Sequence, residues 1–179
     1  MEIFINKRFN GPPNSGNGGY VAGLIAKEIG KCCEVKLVAP PPLQKKLLLK
    51  KSNENYELYD GETLVCIANT TTVDNDPCEF VSFSDALLGS KNGLSKFEPI
   101  HALPDCFVCG PNRKEGDGLR LFTGPQDLDS NPSEDDLVST TWVPDKGLSS
   151  DGKHINLSLI HISEPTRRRG ISYALICVK

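Results

Sequence analysis

The stretch GPPNSGNGGYVAGLIAKEIG, residues 11–30, decides the fold, because a loop rich in glycine and proline passes directly into a run of helix formers. The pattern predicts an α-helix of about three turns, with Asn17 as its N-cap and Gly30 as its stop. Apolar residues recur every four positions from Val21, and much of the remaining helix surface is apolar as well. We therefore expect other elements to surround this helix, since an apolar helix gains little from lying on a surface.

Strand patterns flank this helix on both sides. Alternation and β-branched residues predict a first strand in EIFINKRF and further strands after Gly30, with a turn at Asp60-Gly61. The later strands are expected in CEVKLVAPPPL (33–43), KKLLLKKSN (45–53), ENYELYDG (54–61) and ETLVCIANTTTV (62–73), with the second and third of these as a hairpin or a bent pair. One strand, one helix and then consecutive strands favour an antiparallel sheet packed on one helix, which is an α+β fold.

The second half of the chain contains fewer regular patterns. SFSDALLGS (82–90) predicts a short helix capped by Ser82 or Ser84, and the rest of residues 79–103 has the composition of a linker. Beyond it, GLRLF (118–122) and LVSTTWVP (137–144) predict strands.

Glycines at the start of the predicted helix suggest a binding role. The first turn of a helix presents unpaired backbone N–H groups and the positive end of the helix dipole. Gly18 and Gly19 would let a ligand approach those groups without meeting a Cβ, which suits an anion or a carbonyl oxygen. A tight strand-to-helix turn without any ligand is the alternative. The third glycine of a dinucleotide fingerprint falls on Val21, and no Walker G-K-[ST] is present, so nucleotide motifs are disfavoured.

Two motifs resemble a known family. RFNGPPNSGNGGYVAGLIA (8–26), followed by VKLVAPPPL and DGETLV, resembles the N-terminal half of proteins of the hotdog-fold thioesterase-like superfamily. CFVCGPNRKEGDGLRLF (106–122) resembles the start of many hotdog thioesterase-like domains. Their order in one chain is similar to that of a double-hotdog protein, and together they cover most of residues 7–144.

The resemblance implies a curved antiparallel sheet wrapped around a central helix, in two units. Residues 1–80 would form the first hotdog unit, residues 81–103 a linker, and residues 104–156 the start of an incomplete second unit. Hotdog units pair with one another, so the resemblance also implies a homo-oligomer.

The implied ligand is an acyl thioester, usually linked to coenzyme A, with its carbonyl near the start of the central helix. Gly18 and Gly19 would offer N–H groups, with Asn17 and Tyr20 beside them, and neither a cofactor nor a metal is implied. Hydrolysis of the thioester would make the protein an acyl-CoA hydrolase.

Departures from the family leave the catalytic residue unassigned. Hydrolytic members usually supply an Asp or Glu, whereas the only acid in this helix is Glu28, far from the glycines. Hotdog helices often begin with His-Gly-Gly, and Asn17 replaces that His. A half that binds thioesters or supports dimerisation without hydrolysis is therefore the alternative, and a hotdog dehydratase is disfavoured because no His–acid pair fits the helix start.

The tail LSLIHISEPTRRRGISYALICVK, residues 157–179, resembles the translation of a sequencing-library adapter. We therefore expect the genuine product to be truncated near Asn156. The whole chain carries a net charge of −3, and removing the four basic residues and one acid of the tail leaves −6. An acidic chain without a basic stripe argues against a nucleic-acid partner.

Seven cysteines occur without a secretory signal, so reduced thiols and a cytoplasmic location are expected. No stretch approaches the ~18 apolar residues of a membrane span. Cys106 and Cys109 form one C-x-x-C, for which a structural turn is favoured. Zinc binding would need two further ligands, and a thioredoxin-like role would need a helix start rather than a following strand, so both stay as alternatives.

Overall fold

The computed structural model describes residues 1–72, 80–127, 129, 138–145 and 148, together with the backbone of Ile176 and Cys177. Apart from those two positions, the predicted adapter tail lies outside the described residues, as do His154 and Cys78.

Five antiparallel strands form the main sheet, which confirms the expected α+β class. They are β1 (Glu2–Phe4), β2 (Cys33–Leu37), β3 (Lys46–Ser52), β4 (Asn55–Asp60) and β5 (Thr63–Thr70), in the spatial order β1–β3–β4–β5–β2. The predicted hairpin pairing of β3 with β4 and the turn at Asp60-Gly61 are confirmed. Leu47 and Leu49 are buried while the residues between and beside them are exposed, so one face of β3 carries the core.

Helix α1 (Gly18–Ile29) packs against this sheet with the predicted ends. The Asn17 side chain caps its start, and Gly30 closes it in the left-handed conformation at φ 72°. Val21 and Ile25 are fully buried in the core, whereas Lys27 and Glu28 are exposed near the end. The four-residue repeat therefore identified the buried side of the helix.

A single hydrophobic cluster joins the two halves of the chain. Phe107, Leu119, Leu121 and Trp142 belong to the same core cluster as the buried residues of α1 and of β3 to β5. The two predicted units thus share a core in this structure. Their boundary between residues 80 and 104 stays a prediction.

Helix α2 (Phe83–Phe97) occupies most of the predicted linker and extends beyond Ser90, where the sequence pattern predicted its end. Ser82 caps it. The helix packs against a second, small sheet in the order β6 (Gly124–Pro125), β7 (Val138–Thr141) and β8 (Ile176–Cys177). Neither α1 nor α2 is long and apolar enough to cross a membrane, and neither is any other helix of the described residues.

Two strand predictions were wrong in part. GLRLF is not a strand, because Arg120 has a φ of 55°, a left-handed conformation that interrupts an extended backbone. Its Leu119 and Leu121 N–H groups instead donate to the carbonyls of Phe107 and Val108, both at 2.8 Å. EIFINKRF forms a strand only as far as Phe4 and then a 3-10 turn at Lys7–Phe9.

Because α2 packs closely beside the second sheet, replacing one of its glycines by alanine should destabilise the protein. A Cβ on Gly93 would lie 2.5 Å from the Phe122 carbonyl oxygen. Gly93→Ala should therefore lower the free energy of unfolding by about 1–3 kcal/mol, although alanine favours helices. Ser95→Ala, on an exposed position of the same helix, should change it by less than about 0.5 kcal/mol. Urea unfolding of both variants measures the difference, and equal stabilities would contradict this packing.

Candidate functional site

The start of α1 holds two backbone N–H groups that the fold leaves available. The Asn17 side-chain oxygen accepts the Tyr20 N–H at 3.1 Å, and the Asn17 carbonyl accepts the Val21 N–H at 3.0 Å. Among the hydrogen bonds of the described residues, none uses the N–H of Gly18 or Gly19. The first-turn donors that sequence reasoning singled out are therefore present and unpaired.

The approach to these glycines is open on one side. Both are half-buried, and within the part of the chain that the structure describes, Leu37 Cδ1, at 3.1 Å, is the one non-neighbouring atom found within 4 Å of a Cβ placed on Gly18. Leu37 stands at the end of β2 and is 44% exposed. The end of the Leu37 side chain is thus the near neighbour of Gly18 at this position.

Tyr20 holds the helix in place by packing. It is buried, and its ring stacks on Phe9 with a centroid distance of 3.9 Å, while the Phe107 ring meets Phe9 edge-on at 4.8 Å. Burial raises the pKa of Tyr20 to about 12, although Arg8 opposes the shift. The hydroxyl therefore stays protonated at neutral pH, so Tyr20 cannot act there as a base.

The second motif lies directly against the first, an arrangement that the sequence did not predict. The Phe107 N–H donates to the Asn10 carbonyl at 2.8 Å, and the Asn10 amide donates to the Asp105 carbonyl at 3.2 Å. Arg113 donates to the Arg8 carbonyl at 3.1 Å and also to the Asn10 side-chain oxygen. These contacts hold the C-x-x-C turn beside the start of α1.

Arg8 completes this connection from the other side. Its guanidinium donates to the Gly116 carbonyl at 2.5 Å and to the Asp117 carbonyl at 3.0 Å. The Asp117 carboxylate also accepts a hydrogen bond from Arg113 at 2.9 Å. We call Arg8, Asn10, Asp105, Arg113 and Asp117 the arginine clasp.

The two cysteines of the C-x-x-C share one proton beside the helix cap. Hydrogen bonds from the Cys109 thiol, from the backbone at Val108 and Cys109 and from the Asn17 side chain lower the pKa of Cys106 to about 5, against the opposing effect of burial. The Asn17 amide nitrogen lies 3.8 Å from the Cys106 sulfur. The pKa of Cys109 is raised, because its proton is held by Cys106 and because it is buried. Cys106 is therefore the thiolate of the pair.

Cys66 and Cys32 lie in different environments. Burial raises the pKa of Cys66 to about 12, and Cys32 is exposed. Within the described ranges, no group of three or more His, Cys, Asp or Glu residues could hold a metal ion. His101 is half-buried, and its Nδ1 accepts the Leu103 N–H at 3.1 Å. The zinc alternative thus finds no ligand set among these residues.

A cleft of about 960 Å³ lies beside the loop that leads into α1. Pro13 and Asn14 of that loop form part of its wall. Its charged lining consists of four cations and two carboxylates, namely Lys7, Arg8, Lys45, Arg113, Asp105 and Asp117. The excess of positive charge suits an anionic group, since like charges in a cleft raise the local concentration of a counter-charged ligand.

No protein-family model, no curated protein and no solved structure matches this chain.

Removal of the cap should destabilise α1. Asn17→Ala removes the acceptor of the Tyr20 N–H and should cost about 1 kcal/mol, whereas Asn17→Gly should cost only a few tenths. Urea unfolding followed by far-UV circular dichroism measures both. If the two variants lose equal stability, the side-chain cap does not contribute as described.

The shared proton predicts a pH-dependent stability. Between pH about 5 and the usual thiol value of about 8.5, the unfolded pair binds two protons and the folded pair binds one. The stabilisation is thus lost as pH falls through the folded pKa of Cys106, and it decreases again above about pH 8.5, where only the folded state keeps a proton. The difference in unfolding free energy between wild type and Cys106→Ala, measured under reducing conditions, should therefore peak near the thiol value. A difference that is independent of pH would contradict the shared proton.

Proposed function

We propose that this protein binds an acyl thioester, of the acyl-coenzyme A class, at the start of α1. The observation that carries the proposal is the unpaired, half-buried pair of N–H groups at Gly18 and Gly19. A thioester carbonyl oxygen accepts two such donors, and the helix dipole favours the partial negative charge on that oxygen.

The same donors would assist hydrolysis. When water attacks the carbonyl carbon, charge develops on the oxygen, and each backbone donor in such a position is worth roughly 3–4 kcal/mol. Asn17 would hold the donors in place through its cap, and Tyr20 would do so through its packing on Phe9. Neither side chain needs to change its protonation state for this role.

The cation-lined cleft supports a carrier that bears phosphates. It borders the loop that precedes α1, and Lys7 and Lys45 lie on its wall. Lys45 forms a solvent-accessible ion pair with Asp60. Because such pairs are weak, Lys45 can also contact a phosphate. The phosphate groups of coenzyme A are a suitable occupant.

The proposed fold is a hotdog with an incomplete second unit. The five-stranded antiparallel sheet is compatible with the curved sheet of that fold. Helix α1, with its buried face, is compatible with the central helix. In keeping with the resemblance, we propose a cytoplasmic homo-oligomer formed through pairing of hotdog units.

A second candidate function is thioester binding without hydrolysis. The observation that favours it concerns the carboxylates: Glu28 is exposed and near the far end of α1. Asp117 is paired with Arg113 in the clasp, and Asp105 accepts a hydrogen bond from Asn112. Each of these three carboxylates is therefore either remote along the helix or already bonded to another group.

A substitution at Gly18 tests the binding role. Gly18→Val should keep the fold, because a Cβ at this position approaches only the Cδ1 end of the exposed Leu37 side chain among the described residues, but it should crowd the N–H groups. We expect the affinity for acyl-CoA to fall at least tenfold, which corresponds to about 1.4 kcal/mol. Isothermal titration calorimetry with acyl-CoA esters of several chain lengths measures this.

Glu28→Gln is the matched control on the same helix and should leave binding unchanged. Chromatographic measurement of released coenzyme A separates the two candidate functions, since turnover supports hydrolysis and binding without turnover supports the second candidate. Wild-type protein that binds no acyl-CoA would overturn both.

A further inference from the structure

The C-x-x-C segment folds back on itself in one tight turn. Residues 107–109 form a turn, and the Gly110 N–H donates to the Cys106 carbonyl at 2.9 Å. This bond from residue i+4 to residue i closes one turn of helical type, in which Cα atoms three positions apart lie about 5 Å from each other. The Cα atoms of disulfides are usually about 4.4–6.8 Å apart, so the turn brings the two cysteines within bridging range. The Cys109 thiol already donates a hydrogen bond to the Cys106 sulfur.

Glycine holds this turn tight. A Cβ on Gly110 would lie 2.5 Å from the backbone nitrogen and oxygen of Cys106 and from the Pro104 carbonyl oxygen. Only a residue without a side chain permits this close return of the chain. The cysteines are therefore held together by the backbone, whether or not their sulfurs are joined.

Access to the two sulfurs differs. Cys106 is 3% exposed and lies against Asn17, so a reagent from solvent cannot reach it directly. Cys109 is half-buried and lines a cavity of about 410 Å³ between the end of α2 and residues 121–123. Phe97, Ile100 and Leu103 give this cavity a largely apolar wall. It suits a small, uncharged reagent better than a charged one.

We propose that Cys106 and Cys109 form a thiol–disulfide exchange site that reacts with small uncharged disulfides entering this cavity. The Cys109 sulfur reacts first with the reagent, and the Cys106 sulfur then forms the disulfide with Cys109. The proposal stands apart from thioester binding, which uses the backbone of Gly18 and Gly19.

The single proton that the two cysteines share is sufficient for both steps of the exchange. As the Cys109 sulfur attacks the external disulfide R–S–S–R, its proton passes along the hydrogen bond to Cys106, and one thiolate RS⁻ leaves. Cys106 then attacks the Cys109 sulfur of the mixed disulfide and gives its proton to the departing second RS⁻. The two cysteines are oxidised to one disulfide, and the reagent is reduced to RSH and RS⁻.

Oxidation would also change the start of α1. The Asn17 amide now donates to the Cys106 sulfur, while its oxygen caps Tyr20. A disulfide sulfur carries no negative charge and is a weaker acceptor than a thiolate. The redox state of the pair is thereby linked to the residue that caps the helix.

The test uses bis(2-hydroxyethyl) disulfide as the uncharged probe and oxidised glutathione as the charged one. After each exposure, free thiols are blocked with iodoacetamide, and the peptide containing Cys106 and Cys109 is examined by mass spectrometry. We expect the loss of two hydrogens from this peptide, roughly tenfold faster with the uncharged probe because of the apolar cavity wall.

Two variants separate the roles of the sulfurs. Cys106→Ser should trap a hydroxyethyl mixed disulfide on Cys109, because no second thiol is present to release it. In Cys109→Ser, Cys106 should stay unmodified, since the probe cannot reach a buried sulfur. Far-UV circular dichroism of each variant checks that it is folded.

Three outcomes would overturn the proposal. In the first, the exposed Cys32 reacts while Cys106 and Cys109 stay reduced. In the second, Cys106 in the Cys109→Ser variant is labelled as readily as Cys109 in its counterpart. In the third, both cysteines of purified protein resist the probe until a chelator releases zinc, which would make the turn a metal site.

Discussion

The burial of Phe107 is the interaction on which the rest of the structure depends. Its side chain is fully buried in the core cluster that contains α1, and its backbone bonds to Asn10 on one side and to Leu119 on the other. A large aromatic side chain in a core contributes several kcal/mol, and these two hydrogen bonds fix its direction along the chain. The position of the C-x-x-C turn beside the helix start follows from this one anchored residue.

Asn17 contacts both the first turn of α1 and the Cys106 sulfur. Its oxygen satisfies a first-turn N–H of the helix, and its nitrogen lies beside the Cys106 sulfur. A primary amide suits both tasks because it carries an acceptor and two donors on one rigid plane.

Local patterns were sufficient for α1 and for most of the strands in the first half of the chain, where short-range rules dominate. The ends of α1 were predicted correctly because an N-cap side chain and a left-handed glycine act on neighbouring backbone groups. The turn between β4 and β5 followed from the Asp60-Gly61 pair in the same way. GLRLF failed as a strand because Phe107 and Val108 supply its hydrogen-bond acceptors, so its backbone follows a distant turn rather than its own propensity. Helix α2 extended beyond its predicted end since its glycines pack against a sheet that lies far away in sequence.

By itself, the sequence determined that the chain is α+β, where its first helix begins and ends, and that two bare glycines open that helix. It also revealed the C-x-x-C as a pair. Only the tertiary structure decided that this pair lies against the helix cap, that Cys106 is its thiolate, and that Arg8 and Arg113 hold the two motifs together. The physical reason is distance along the chain: caps and turns act over a few residues, whereas the Asn17–Cys106 contact joins positions 89 residues apart and exists only once the core has closed around Phe107.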